Sequence, residues 1–200
     1  MLELLSAKRK SLLLSFSTMK KLVFLILLYE RMLPELRSYF LASGRDFIVI
    51  QTASERFWQL LSSEQTFVSW NELREKILDS LPDSEDDGSL AAQFALNAGL
   101  VAADIAGLAE DGENTHVIEA IEYARDSIHA KAASEMRTLV YDPTVEEAVS
   151  THPLVHKERQ REEEDVTFLG SFPEGPWLQN AVSMLRDRAQ AQETLLGTMR

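Results

Sequence analysis

Ser89 to Ala109 reads SLAAQFALNAGLVAADIAGLA, a segment that sets the architecture of the whole chain. Ala91, Ala92, Ala95, Ala98, Gly99, Ala102, Ala103, Ala106 and Gly107 leave it almost without side-chain bulk, while its alanines favour helix. Small residues let neighbouring backbones approach closely, so such a helix belongs in the middle of a bundle, touched on several sides. The expected architecture is therefore all-α, a single-domain multi-helix bundle over residues 1–200 around a central helix at about 89–110.

Punctuation on either side supports this reading. Ser89 is placed to cap the helix, and Asp111 with Gly112 ends it. Upstream, Leu2 to Phe16 and Thr18 to Met32 are apolar-rich helices, and Pro34 begins a short continuation to Ala42 with a kink near Leu33. Asp46 to Ser62 sets Phe47, Ile50, Ala53, Phe57, Leu60 and Leu61 at helical spacing. Ser69 and Glu72 form a capping box for a helix that ends by Pro82. Downstream, the longest helix is expected from about Thr115 to Tyr141, with Val117, Ile121, Ala124, Ile128, Ala132 and Leu139 on its apolar face. Thr144 and Glu147 cap a short helix ending before His152 and Pro153, and two more helices follow, Leu154 to Leu169 and the segment after Pro176. No segment reads as a convincing strand.

Composition bounds the function classes. With 45% hydrophobic and 26% charged residues the chain has a globular balance, and with no cysteine it has no disulfide framework, thiolate metal site or cysteine nucleophile. That suits a reducing cytoplasm. Residues 1–80 carry 11 Lys and Arg against 9 Asp and Glu, whereas residues 81–200 carry 9 against 23, so the net charge of −12 divides into +2 and −14. Such a field repels nucleic-acid phosphates and anionic lipid. Lys20 and Lys21 interrupt the first apolar stretches, neither of which reaches the ~20 residues of a membrane span, and no small-residue cleavage site follows. Neither an export signal nor a membrane partner is expected.

Candidate chemistry is sparse. Asp83 to Gly88, within the acidic loop 82–88, copies the first half of a calcium loop, but position twelve is Phe94, which excludes an EF-hand. Glu113 with His116 and Asp126 with His129 have di-iron spacing but lie about 20 Å apart on one rod, too far for one site. His152 and His156 lack the glutamate a zinc protease requires, so they read as a cap and a surface histidine. No metal or cofactor is expected. Two polar features remain. Gln93, Asn97 and Asp104 share one side of the small-residue helix, where they must bond to neighbours or line a cleft. Glu135 falls on the apolar face of the long helix and needs a partner or a proton, with Arg31 and Arg56 as candidate ion-pair partners. Gln93, Asn97, Asp104 and Glu135 are thus the candidate cluster.

Several short motifs carry a family resemblance. Glu30-Arg31-Met32 before Pro34, the acidic loop from Pro82 to Asp87 ahead of an alanine-rich helix, Glu135-Met136, and His152-Pro153 opening another helix together resemble the YjaG-like bacterial proteins, known as domain of unknown function 416. The likeness spans nearly the whole chain and implies a cytoplasmic, all-helical single domain without an assigned activity. Arg159, Arg161, Glu162, Glu163, Glu164 and Asp165 depart from the aromatic or aliphatic residues the family carries after His-Pro. Three roles are compatible with these residues. The first is a non-enzymatic interaction module that binds a protein partner or self-associates, with Trp70 and Trp177 as candidate contact aromatics. The others are an acidic immunity-type protein that neutralises a cationic toxin, and a small-molecule or metal-dependent enzyme using the polar cluster.

Overall fold

The structure, a computed structural model, describes residues 3–62, 69–83, 87–136, 143–175, 177, 179–191 and 194–196, with backbone alone for 143–146. Among the described residues the chain forms nine helices and no strand: α1 Ala7–Leu14, α2 Thr18–Ser43, α3 Ile48–Leu60, α4 Trp70–Ser80, α5 Leu90–Asp111, α6 Asn114–Glu135, α7 Pro143–Ser150, α8 Pro153–Ser171 and α9 Gln179–Ala191. One parallel bridge joins Ser62 to Trp177.

The small-residue helix is central. α5 packs on α2, α4 and α6, and every residue from Val101 to Leu108 is buried. Its bulk complement is α2, where the run from Lys20 to Tyr29 is buried on all sides and supplies Phe24, Leu25, Ile26, Leu27 and Leu28. Large side chains on one rod fill the space left by small ones on the other, which is how close-packed density is reached without strain. Lys20 and Lys21 enter this buried run by reaching outward, Lys21 Nζ donating to Asn114 Oδ1 at 2.8 Å and Lys20 pairing with Glu174 at 3.0 Å.

Caps fix the helix ends. Ser6, Ser17, Ser69 and Ser89 each accept a backbone N–H through the side chain, from Arg9, Lys20, Glu72 and Ala92. Gly44 and Gly112 close α2 and α5 at φ 69° and 74°, left-handed values that glycine adopts without a Cβ penalty. Asp87, at the end of the acidic loop, accepts from Ser89 N–H and from the Tyr39 hydroxyl. The loop's centre, residues 84–86, lies outside the described residues.

Three expectations change. α2 runs unbroken through Pro34, which removes one intrahelical donor, where a helix and a short continuation were expected. α6 ends at Glu135, with Met136 as C-cap, short of the expected Tyr141; residues 137–142 lie outside the described residues, as does the Thr144 side chain. α8, expected as a densely charged segment, instead turns part of that charge inward: Glu158, Arg161, Glu162 and Asp165 are buried beside Val155, Val166 and Leu169.

Candidate functional site

The tight turn at Gly112 and Glu113 folds α6 back along α5 and brings His116, in the first turn of α6, against the end of α5. Gly107 makes that contact possible. A Cβ built there would lie 2.4 Å from His116 Cε1 and 2.6 Å from Nε2, so the ring occupies space that any side chain at 107 would fill. Both ring nitrogens face carboxylates, Nδ1 at 3.0 Å from Asp104 Oδ1 and Nε2 at 3.2 Å from Asp111 Oδ2. Burial lowers the imidazole pKa, but the two carboxylates outweigh it and hold it above its ordinary value. Asp104, only 3% exposed, is pushed up to about 6 by burial, against the pull of His116. Its second oxygen, Oδ2, has no hydrogen-bond partner among the described residues.

Glu119, one turn beyond His116, completes a trio with Asp104 in which one ligand atom from each lies within 4.8 Å of the others. Arg74 of α4 adds a positive charge near Asp104, its Nε buried without a hydrogen-bond partner among the described residues. An imidazole between carboxylates, with an orphan oxygen beside it, can exchange a proton or hold a cation.

The expected four-residue cluster does not assemble. Asn97 and Asp104 both bond to α6, Asn97 Nδ2 donating to Ser127 Oγ at 3.0 Å, while Gln93 is exposed. Glu135 is a correction: it is exposed, not buried, and meets Lys131 Nζ at 3.2 Å and His152 Nε2 at 3.4 Å. It sits at the end of α6, about 28 Å along the helix from His116 at 1.5 Å per residue. Arg56 reaches Gln59 on its own helix.

Arg31 centres a separate, buried network. With no exposed side-chain surface, it donates from Nε to Glu158 Oε1 at 2.9 Å and from Nη1 to Asp165 Oδ2 at 2.8 Å. Arg188 adds a second clamp on Asp165 Oδ1, at 2.6 Å and 3.0 Å. Arg161 joins Glu158 Oε2 to the carbonyl of Thr194, and Leu195 N–H donates to the carbonyl of Arg31. Glu162 stands apart within it, fully buried with neither carboxyl oxygen hydrogen-bonded among the described residues. Burial first, then the neighbouring Glu158, raises its pKa well above the ordinary 4.5. The stability this group permits is therefore complete below pH 4.5 and lost as pH rises toward its folded value, because the unfolded chain ionises first. Glu162→Gln removes that loss. We expect the variant to melt about 2–4 °C or more above the parent at pH 8, the shift that ~1 kcal/mol gives a chain of this length, with the gap closing at pH 4. Paired thermal melts read this directly, and a gap independent of pH contradicts it.

The sequence passed over His116 because its near neighbour Glu113 drew attention to helix-local spacing. A hairpin at Gly112 is the signal that pairs it with Asp104 instead. Of the remaining three histidines, His129 is half-buried on α6, His152 caps α8 through Nδ1 and His156 is exposed. Of the two aromatics named as contacts, Trp70 is half-buried and stacks on Phe57, and Trp177 is only 4% exposed beside Phe172.

Fold and site together define an all-helical bundle with a carboxylate-flanked histidine between its central helices. Residues 9–195 match the family described as protein of unknown function (DUF416), and the chain belongs to it. A crystal structure of a DUF416 family protein from Shewanella baltica OS155 is similar over 96% of this chain and 98% of that one, with a TM-score of 0.79 at 17% identity. That likeness shows a shared fold. No curated protein matches the chain.

Proposed function

We propose that this protein is an interaction module that pairs with a second copy of itself through the corner between α2 and α3. One observation carries the reading. Leu41 is 70% exposed and Ile48 66%, the only large hydrophobic side chains among the described residues more than half exposed, and they flank the Gly44 turn. Large apolar side chains exposed on both sides of one turn favour a contact that removes them from water. The corner also carries both charge signs, since Arg37, Arg45 and Asp46 are exposed around it. A twofold contact needs a surface complementary to itself, and such a mixture supplies it. Charging the corner with Leu41→Glu and Ile48→Glu together is expected to weaken the dimer at least about 100-fold, the effect of losing two apolar anchors. Sedimentation equilibrium over a concentration series measures it. A parent chain that stays monomeric at high concentration, or a dimer indifferent to both substitutions, removes the reading.

A further inference from the structure

We propose that Asp104, His116 and Glu119 bind one divalent transition-metal ion, a site independent of the pairing corner. The trio offers one imidazole nitrogen and two carboxylate oxygens, a donor set that suits zinc, manganese or ferrous iron and leaves further positions for water. Spacing fits the chemistry. Ligands about 2.1 Å from a tetrahedral ion stand about 3.4 Å from each other, while the Asp104 Oδ1 to His116 Nδ1 contact is 3.0 Å and all three donors fall within 4.8 Å.

Two features mark the site as built rather than as a chance meeting of acids. Asp104, 3% exposed, holds Oδ2 without a hydrogen-bond partner among the described residues, and burying a carboxylate oxygen unpaired is costly unless something occupies it. His116 turns Nε2 to Asp111 at 3.2 Å, leaving Nδ1 toward Asp104. Such an outer carboxylate fixes the tautomer and raises ligand basicity in histidine metal sites. Asp111 is itself oriented, its other oxygen accepting the Glu113 N–H at 2.8 Å.

The surrounding charge is compatible. Among the described residues, the acids Asp104, Asp111 and Glu119 outnumber Arg74 on α4, the arginine that acts on Asp104, and Tyr123 and Glu122 lie beyond them. Bare helix at Gly107 leaves the imidazole in place without strain.

Titration of the chelator-treated full chain with Zn²⁺, Mn²⁺ and Co²⁺ tests this, by calorimetry and by the visible absorption of Co²⁺. The expected result is one ion per chain for at least one metal. Glu119→Gln, at a half-buried position, is expected to lower affinity at least about tenfold with the helical circular dichroism unchanged, and Asp111→Asn about 10- to 100-fold, the range for outer-shell partners. His116→Gln abolishes binding. No binding at millimolar metal overturns the proposal. So does binding of several ions per chain that these substitutions leave unaltered, since the acidic surface then holds them.

Discussion

Arg31→Met is expected to destabilise the fold by about 3–5 kcal/mol, the cost of removing one partner from a buried ion pair and leaving the other charged. The wild-type guanidinium has no exposed surface and bonds Glu158 and Asp165 from two edges, at 2.9 Å and 2.8 Å. After the substitution Asp165 retains Arg188 and Glu158 retains the longer 3.3 Å contact to Arg161. Those remnants set the loss toward the lower end of the range. Replacing the acids along with the arginine, as Arg31→Met, Glu158→Gln and Asp165→Asn, is expected to recover only part of it, because no carboxylate is then left charged opposite the methionine but Arg161 and Arg188 lose their charged partners. Urea unfolding gives both numbers. A single variant within about 1 kcal/mol of the parent would mean that water reaches the network.

Gly107→Ala carries the second large effect, about 1–3 kcal/mol of destabilisation from overpacking. The new methyl group meets three atoms of the His116 ring at 2.4 to 2.8 Å, and the ring cannot step aside without releasing Asp104 or Asp111. At an open helix position the same change stabilises, since alanine exceeds glycine by about 1 kcal/mol. The sign should therefore invert once the ring is gone: in a His116→Ala background, Gly107→Ala is expected to be neutral or stabilising. A double-mutant cycle by chemical denaturation measures this coupling. Additive effects would show that the ring and the backbone are not in contact. Gly99 makes a useful contrast, because a Cβ there meets only the branched end of Leu81, which can rotate.

How much of this could be read from residues alone depends on the range of each interaction. Ser69, Ser89, Gly112 and His152 marked helix ends correctly because a cap is settled within three or four residues of chain. The central place of α5 was legible for a similar reason: its lack of bulk has one good use, the close approach of other rods. Glu135 departs from its expectation because the apolar period in the sequence continues to Tyr141, which makes an end position look interior. The inward face of α8 was invisible for a different reason. Glu158 and Asp165 are satisfied by an arginine 127 and 134 residues earlier, and dense charge without a visible partner reads as solvated surface. His116 and Asp104 fall between these cases, only 12 residues apart but on separate helices, so that helical periodicity alone does not join them.

Enclosure of α5 also governs how its hydropathy is to be understood. Leu90–Asp111 is long and apolar enough to cross a bilayer, with a mean hydropathy of 1.3 over eighteen residues, yet 67% of that window is buried within the fold. Its greasiness is directed at α2, α4 and α6. Set among lipid tails instead, the same rod would carry Asn97 and Asp104 into hydrocarbon stripped of Ser127 and His116, and an intramembrane carboxylate without a companion costs at least about 2.5 kcal/mol.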